Sequence, residues 1–596
     1  MATSDRSATV PPGRPRTAAA ALPALVCVLA AMAWADPPPP GRVLAPTLGR
    51  PAIVAPGATF TIVADVRSET QTITLTLTPG SRAADPVIIP LDAGQTAQLL
   101  RRAPLEVRVP PETPLGVYDL SIDLGPVAVA QPHCVAVSRL DGPVRIVALG
   151  SMNVGDLTAP GFDRRLASEI NLLAPDVVIA AGDYLDAAHP DPARGWRELV
   201  DFVKRLRAAV VLACGDHDDM EHYSRHVASS PVGLVSLGPH RIMVLCDHRR
   251  APILRDSEQI AWAEQVLRRR AAGVTIAVAN DPRPNLLRRW SEAGMLERLV
   301  SADAPLLWLA GGYVDTPGAG GDLSRAGLTL LNLPAASATV RGGAAGRPQY
   351  RVVEISGRRV RLIGPQEGGP LTVGGLTVDC DGPNDGSATR LSLRVANTNS
   401  CELSGLRLAA RLAVDPRASE VWCQGGRIEQ VVTGESFSEV WVRTDVPDRG
   451  GVSLVVGSGP RPALPRIETR IELPAELTFT PLESAGLCRL VSEPPSVVIR
   501  NVGTGPAVLV PRLRLDGDVV RYRPGQAARS AAAYRIRLAP GKSVRLRPDL
   551  SVVRVRPGRR SLQVYFDGLA GCGPVWKFAR VAVAAGPMAA RKTEVP

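Results

Sequence analysis

Apolar and polar residues alternate along residues 42–140, and the segments 59–66 and 72–77 are the clearest examples. A period of two with many β-branched residues is typical of strands that bury one face. Proline and glycine separate these segments and predict turns between them. We therefore predict a β-sandwich over residues 36–141.

From Pro143 onward, short apolar runs alternate with segments of helical spacing. This alternation predicts a largely parallel sheet covered by helices over residues 142–367. The predicted helices are 163–173, 196–209 and 257–270. The predicted strands are 144–149, 176–181, 210–214, 241–245, 274–279, 306–310 and 329–333, followed by the strand pair 350–355 and 359–363.

Beyond about residue 370 the strand pattern returns. Two apolar runs end in similar turns, Asn397-Thr398-Asn399 and Asn501-Val502-Gly503, whose first residues are 104 positions apart (397 to 501). This recurrence indicates a repeated module. We predict two further sandwiches, 368–475 and 476–588, and a polar tail at 589–596. All three predicted sandwiches are expected to be immunoglobulin-like.

The first 35 residues have the features of an export signal. Arginines at positions 6, 14 and 16 precede an apolar run over 18–32, and Ala33-Trp34-Ala35 fits the small-x-small cleavage rule. We therefore expect an exported protein, located in the periplasm, at the cell surface or in the medium. Signal cleavage would leave no integral membrane segment. The alternative is a retained membrane anchor, because the run is close to the spanning minimum of ~17–20 residues.

Charge and composition narrow the possible partners. The formal net charge is +12, but the arginines are scattered through strand-like segments without a basic stripe or interleaved aromatic residues. We therefore expect no nucleic-acid partner. The expected partner is an unknown protein or a cell-surface component.

Export would permit disulfides. Cys488 and Cys572 bracket the last segment and form the best candidate pair, whereas Cys214 and Cys246 lie in apolar runs and are expected to be buried thiols. At most two of a further group, Cys380, Cys401 and Cys423, can pair with each other. The sequence leaves the pairing open.

Two of the predicted central strands run directly into acidic loops. One ends in Gly182-Asp183, and another in Gly215-Asp216-His217-Asp218. Ligand-binding residues in parallel sheets lie just beyond the carboxyl ends of strands. With the closing strand pair after residue 349, these motifs resemble the calcineurin-like metallophosphoesterase family over about residues 143–366. The predicted fold class is therefore a multi-domain chain, with a central α/β metallophosphoesterase-like sandwich between N-terminal and C-terminal all-β sandwiches.

The resemblance implies two metal ions that share a carboxylate and activate a bridging water. Carried over to this sequence, the bridging ligand is Asp183, an asparagine ligand has become Asp216, and the family's acid or phosphate-contacting histidine is His217. The other ligand positions hold residues of the wrong chemistry: Ser151, Asn153, Asn280, Gly312 and Val314.

The histidine count supports this conclusion without depending on the alignment. The chain has seven histidines, and none follows His248. Shifting the alignment therefore cannot restore an imidazole to the later motifs, and imidazole is the ligand that suits iron and zinc. We expect a pseudoenzyme without a cofactor that serves as a scaffold or binding protein, or as an adhesion or assembly module.

Several alternatives stay open. A divergent phosphoesterase could hold one Fe, Mn or Zn ion with Asp183, Asp216 and His217, helped by Asp156 or Asp186. Asp183 could instead satisfy loop amides, and His217 with Asp218 could hold a turn. Two further hypotheses are a mononuclear metal site that uses His222 and His226, which a helix would place on one face, and Tyr313 filling the space of a lost imidazole.

Overall fold

The structure of the chain is a computed structural model. It describes residues 41–67, 73–80, 84–125, 127–155, 161–186, 189–246, 256–280, 285–311, 323–325, 327–337, 340–341, 344–345, 347–413, 420–460, 467–472, 474, 476–481, 488–515, 518–523, 536–550, 558–569 and 576–585. The predicted signal segment, Asp156, Asp281, Gly312, Tyr313, Val314 and Cys572 lie outside the described residues.

The N-terminal unit consists of two sheets that share one core. A three-stranded sheet (β1-β3-β6) packs on a five-stranded sheet (β2-β8-β7-β4-β5) through aliphatic residues such as Ile62, Leu75 and Leu120. The alternation in 59–66 matches the buried positions of β3. The immunoglobulin-like topology stays a prediction. The elements are β1 Gly41–Ala45, β2 Ala52–Val54, β3 Thr59–Val66, β4 Thr74–Pro79, β5 Val87–Pro90, α1 Ala93–Leu100, β6 Leu105–Arg108, β7 Gly116–Asp123 and β8 Ala128–Val137.

The central unit contains two six-stranded sheets. Their orders are β11-β10-β9-β20-β21, with β22 added to β20, and β12-β13-β14-β15-β17-β16. The strands are β9 Val144–Leu149, β10 Val177–Ala180, β11 Ala209–Leu212, β12 Gly233–Leu237, β13 His240–Val244, β14 Thr275–Asn280, β15 Leu306–Gly311, β16 Leu323–Arg325, β17 Leu328–Asn332, β18 Val340–Arg341, β19 Ala344–Ala345, β20 Gln349–Ser356, β21 Arg359–Ile363 and β22 Leu371–Thr372. The helices are α2 Arg164–Leu173, α3 Pro192–Lys204, α4 Met220–His226, α5 Asp256–Arg268, α6 Asn285–Glu292, α7 Met295–Leu299 and α8 Pro365–Gly368.

The two facing sheets agree with the predicted α/β sandwich, whereas the strand pattern taken alone, which predicts a largely parallel sheet, is wrong about the division of the strands. The strands β9, β10 and β11 are parallel to one another, and so are β13, β14, β15 and β17, but the two groups belong to separate sheets. A strand that is apolar on both faces fits a wide single sheet and a pair of stacked sheets equally well. The sequence therefore could not distinguish these two arrangements.

The two sheets face each other across an aliphatic layer that includes Ile146, Ile179, Val244, Ile276 and Leu309. Helices α2, α3 and α4 cover the outer face of the first sheet, and α5, α6 and α7 cover the outer face of the second. The result is a four-layer α/β/β/α arrangement. In it, the carboxyl ends of β9, β10 and β11 lie side by side.

The sheets approach each other closely at this edge. A side chain on Gly311 would place its Cβ 2.4 Å from the Cβ of Ala181, and one on Gly150 would meet the carbonyl oxygen of Pro334 at 2.4 Å. Only glycine fits at such distances. The loops that follow the strands are thereby held against one another.

Two further β units follow the central one. The first pairs the sheets β23-β24-β29-β26 and β25-β28-β27, and the second is a ten-stranded sheet. The predicted boundary at residue 476 falls too late, because β30 pairs with β33 of the last sheet. The strands are β23 Leu376–Cys380, β24 Arg390–Asn397, β25 Leu403–Ala413, β26 Val421–Gln424, β27 Arg427–Thr433, β28 Phe437–Val446, β29 Gly451–Ser458, β30 Ile467–Glu472, β31 Glu476–Pro481, β32 Cys488–Leu490, β33 Ser496–Asn501, β34 Ala507–Leu515, β35 Asp518–Arg523, β36 Ile536–Leu538, β37 Ser543–Asp549, β38 Gly558–Leu569 and β39 Trp576–Ala585.

The two similar turns have the same hydrogen bonds. Asn397 Nδ2 donates to the carbonyl four residues later (Cys401, 2.8 Å), and its Oδ1 accepts from the amide two residues later (3.0 Å). Asn501 Nδ2 donates to Gly505 O (2.9 Å), and its Oδ1 accepts from Gly503 N (3.1 Å). Both asparagines are buried. The equivalence is the structural basis of the repeat seen in the sequence.

Polar contacts join the central unit to both neighbours. Arg50, from the N-terminal segment, donates to the Tyr223 hydroxyl at 3.1 Å and to Pro231 O at 3.1 Å. On the other side, Arg145 of β9 donates to Glu354 at 2.7 Å and to Ser404 O of the following sandwich at 2.8 Å. The three units therefore pack as neighbours through specific contacts.

Glu169 of α2 is a buried carboxyl at the second of these junctions. It accepts hydrogen bonds from the Tyr350 hydroxyl at 3.0 Å and from Gly374 N. Burial is the dominant effect and raises the pKa of Glu169 to about 7, although these donors oppose it. The fold therefore favours the uncharged form of this side chain.

We expect Glu169 to make stability depend on pH. A folded pKa above the unfolded one means that the folded chain holds more protons between pH 4.5 and 7, so stability falls as pH rises through that window. The change should reach at most about 3 kcal/mol. Urea unfolding of the protein and of Glu169→Gln between pH 4 and 8 should give curves that differ in slope, whereas the exposed control Glu112→Gln should run parallel to the wild type. Parallel curves for Glu169→Gln would contradict this assignment.

Candidate functional site

Asp183 lies at the carboxyl edge of the first sheet, directly after β10. Gly182 and Asp183 both adopt left-handed backbone conformations, with φ of +93° and +54°. Such consecutive residues turn the chain sharply, and aspartate is one of the few side chains that tolerates this conformation. The turn brings the Asp183 carboxylate toward the loops after β9 and β11.

Both oxygens of the Asp183 carboxylate accept hydrogen bonds from the protein. Ser151 Oγ donates to Oδ2 at 3.2 Å, and the backbone amide of His217 donates to Oδ1 at 3.3 Å. The side chain is 5% exposed. Asp183 thus bridges the loops that follow β9 and β11, in agreement with the hypothesis that it satisfies loop amides.

Asp218 holds the loops after β10 and β11 together. Its carboxylate accepts three backbone hydrogen bonds, from Gly215 N at 2.7 Å, Tyr184 N at 2.8 Å and Asp183 N at 3.0 Å. Asp218 does hold the turn, but the predicted hydrogen-bonded pair with the His217 imidazole is wrong, because the partners of Asp218 are backbone amides. Gly-Asp-His-Asp in the sequence carried no signal for this three-fold contact, because two of the donors come from the other loop.

Burial dominates the electrostatics of the two carboxyls. It raises the pKa of Asp183, while the neighbouring Asn280 and His217 oppose the increase and Asp216 adds to it. It also raises the pKa of Asp218 to about 8, and the charge of Asp183 pushes in the same direction. Two adjacent buried carboxyls therefore disfavour simultaneous ionisation.

The sheet edge brings several sequence-predicted positions together. Ser151 contacts Asp183 directly, and the backbone amide of Asn153 donates to Asp183 O at 2.8 Å. Asn280 ends β14 of the facing sheet and lies beside Gly215, where an added Cβ would be 2.8 Å from its Nδ2. Asp216 is exposed to solvent. The edge therefore gathers Ser151, Asn153, Asp183 and Asn280, four of the positions that the sequence singles out.

Several polar atoms in this neighbourhood have no hydrogen-bond partner within the described part of the chain. They are Asn153 Oδ1, both amide atoms of Asn280, and His217 Nδ1. Asn280 lowers the pKa of Asp183 by its proximity, but the geometry falls short of a hydrogen bond. Buried groups of this kind are uncommon in folded proteins and often mark functional sites.

The donor set does not fit a centre of two transition-metal ions. Among the residues that the structure describes, no group of three or more His, Cys, Asp or Glu side chains is placed to hold one ion. Asp183 already accepts two hydrogen bonds, and the neighbouring Asp218 carboxylate accepts three from backbone amides. The other neighbours are an alcohol and two side-chain amides. Neutral oxygen and nitrogen donors of this type offer little charge to compensate two divalent cations.

His222 and His226 do share one face of α4, as the sequence predicts. Their rings are stacked with centroids 6.0 Å apart, and His222 also stacks on the fully buried Trp196 at 6.3 Å. Burial and the neighbouring His222 lower the pKa of His226. The pair packs against an aromatic residue and does not join Asp216 and His217 in a cluster of ligands.

Cys214 and Cys246 are both buried, as expected for thiols within apolar strand ends. Cys380 is exposed, and Cys401 is half-buried. Cys572, the predicted partner of Cys488, lies outside the described residues, so that pairing stays a prediction.

No family model matches the sequence, and no curated protein matches it. Among solved structures the chain is weakly similar to purple acid phosphatase PPD1 from yellow lupin (Lupinus luteus) seeds, with a TM-score of 0.32, 10% identity and coverage of 60% of this chain and 71% of that one. It is also weakly similar to GAP50 of Plasmodium (TM-score 0.27, 9% identity, 39% and 89% coverage). A third is Vps29 of Chaetomium thermophilum (TM-score 0.19, 10% identity, 43% and 91% coverage). Similarity at these scores indicates no function for this chain. No helix in the described parts has the length and apolar character needed to cross a membrane.

We expect Asp218→Ala to destabilise the central unit by about 2–4 kcal/mol, because three buried amides lose their acceptor. The matched control is Asp216→Ala two residues earlier, which removes an exposed carboxylate and should change stability by less than about 0.5 kcal/mol. Urea unfolding followed by fluorescence of the buried tryptophans would measure both changes. Equal effects of the two substitutions would show that Asp218 has no special structural role.

Proposed function

We propose that this protein is an exported, non-catalytic member of the metallophosphoesterase fold class, which serves as a scaffold or binding protein. The observation that carries the proposal is the state of Asp183. The side chain expected to bridge two ions is buried. One of its oxygens accepts a hydrogen bond from the Ser151 hydroxyl, and the other accepts one from the backbone amide of His217. Through these contacts it holds two loops together.

The substituted positions support the same conclusion. Where the family resemblance implies a carboxylate and imidazoles, the chain has Ser151, Asn153 and Asn280. A hydroxyl and two amides cannot supply the negative charge that a pair of divalent cations requires. Two-metal activation of water therefore lacks its ligands in this chain.

The uncompensated polar atoms favour a second candidate, a divergent phosphoesterase. Asn153, Asn280 and His217 each keep a buried polar atom without a partner among the described residues, close to Asp183. Residues that are poorly satisfied in the fold are candidates for contacts with a ligand. In this alternative a single Fe, Mn or Zn ion would be held by Asp183, Asp216 and His217 during hydrolysis of a phosphomonoester or diester.

Metal content and turnover distinguish the two candidates. The purified full chain, incubated with Mn²⁺, Fe²⁺ or Zn²⁺ and then desalted, should retain far less than one ion per chain by mass spectrometry of the elements. It should hydrolyse neither p-nitrophenyl phosphate nor bis(p-nitrophenyl) phosphate above the rate of Asp183→Asn. Stoichiometric metal, together with turnover that Asp183→Asn abolishes, would contradict the scaffold proposal and support the divergent phosphoesterase.

Export is proposed from the N-terminal sequence, and the mature N-terminus tests it. Cleavage after Ala33-Trp34-Ala35 predicts a secreted or periplasmic product that begins at Asp36. Expression in a host with a general secretion pathway, followed by intact-mass measurement, would give this species. An uncleaved chain in the membrane fraction would establish the anchor alternative, and an uncleaved chain in the cytoplasm would contradict export.

A further inference from the structure

A second site lies at the opposite end of the first sheet. The amino-terminal ends of β9, β10 and β11 form the floor of a cleft of about 700 Å³, with walls from the N-terminal sandwich and from the sandwich that follows the central unit. This volume is in the range of small-molecule sites, and such sites are frequent where domains meet. The cleft is separate from Asp183, which lies beyond the carboxyl ends of the same strands.

The cleft is lined by more cations than anions. Its arginines are Arg139, Arg145, Arg207, Arg361, Arg407 and Arg443, and its carboxylates are Asp141, Asp176, Glu354 and Glu429. Six positive and four negative side chains leave an excess of two positive charges. A concave surface of one sign raises the local concentration of ligands of the opposite sign.

The ion pairs inside the cleft do not neutralise all of its positive charge. Arg145 and Arg361 share the single carboxylate of Glu354. Arg407 and Arg443 likewise share Glu429, each at 2.7 Å. Each glutamate can therefore neutralise only one of its two guanidinium groups, so positive charge is left in the cleft even though Arg145 directs its N–H donors to Glu354 and to backbone carbonyls.

Arg207 forms no ion pair with the described residues of the cleft, although the charge of the neighbouring Glu439 acts on it. Its guanidinium also forms no hydrogen bond with another described residue, but its Cζ lies 4.7 Å from the centre of the Trp441 ring. Arg407 approaches the same ring, at 4.2 Å. The cleft walls surround Arg207 closely enough to lower its pKa, mainly by burial. The residue nevertheless keeps solvent-exposed surface.

Trp441 therefore orients two guanidinium groups that come from different domains. Arg207 belongs to the central unit, whereas Arg407 and Trp441 belong to β25 and β28 of the following sandwich. Stacking on an aromatic ring fixes the plane of a guanidinium without using its N–H donors. The Arg207 donors are therefore pre-oriented for carboxylate or phosphate oxygens, which match the arginine fork. Arg407 already directs Nε toward Glu429 at 2.7 Å and donates one N–H to Gln430 at 3.1 Å, so only its other donors are available.

We propose that this interdomain cleft binds a small polyanion, a molecule with two or more carboxylate or phosphate groups, through Arg207 and Arg407. The ligand would contact the central unit and the following sandwich at once. Binding would thus stabilise their relative arrangement, which gives the scaffold a ligand that does not depend on the chemistry at Asp183.

Calorimetric titration of the full chain with citrate and with pyrophosphate would test the proposal. We expect at least one probe to bind at sub-millimolar concentration, with affinity that falls as salt is added. Binding of citrate alone identifies a polycarboxylate site, and binding of pyrophosphate alone identifies a phosphate site. Absence of measurable heat with both probes at millimolar concentration and low salt would overturn the proposal.

Variants separate a built site from general positive charge. Arg207→Gln should weaken binding at least tenfold, whereas Arg298→Gln, an exposed arginine on the helical layer of the second sheet, should leave it unchanged. If Arg207→Gln fails to fold, Arg207→Lys keeps the charge and removes the fork, and it should also weaken binding. Equal affinities for the wild type and the Arg207 variants would refute the assignment.

Discussion

Two sheets face each other in the central unit across a layer made of aliphatic side chains such as Ile146, Ile179, Ile276 and Leu309. Burial of this layer fixes the distance and orientation of the sheets, because each apolar side chain removed from water contributes roughly 1.5–3 kcal/mol. The packing of the sheets also sets the positions of the strand ends. The loops after β9, β10 and β11 meet at one edge, and Asn280 at the end of the facing β14 comes within reach of Asp183. Asp218 and the glycines at the close approaches then hold these loops in place.

The carboxyl groups at this edge stabilise the conformation of the loops. Asp218 accepts amides from both loops, and Asp183 accepts a hydroxyl and an amide, so the two carboxyls work as structural acceptors. Their proximity has an electrostatic cost, since burial raises the pKa of each. A cation beside the pair would offset this cost, but the neighbouring side chains Ser151, Asn153 and Asn280 are neutral. Backbone donors stabilise the carboxyl pair instead.

Hydrophobic period and glycine-aspartate punctuation are local signals, and they predict the longer helices of the central unit and most of its strands. For example, the helix predicted at 163–173 is α2 Arg164–Leu173 with Asp163 as its cap. The short helices α6 and α7 and the strand β12 are not among the predicted elements. The strand pattern alone does not assign strands to either sheet of the sandwich, because β13 and β14 are apolar on both faces. The three-amide role of Asp218 was also missed, because Asp183 and Tyr184 lie more than thirty residues earlier, at 183 and 184 against 218. Local patterns carry no information on such distant partners.

The arginine cleft is the extreme case of a feature without a sequence signal. Arg207, Arg407 and Trp441 come from two domains, and each alone is an ordinary surface arginine or strand tryptophan. Scattered arginines without a basic stripe argue against a surface that binds a long nucleic-acid polymer. A concave site needs only a few guanidinium groups gathered by domain packing. Arg145 and Glu169 join the central unit to the segment that follows it, and the cleft lies beside these junctions. Domain packing can therefore gather the residues of a binding site that no single strand or helix contains.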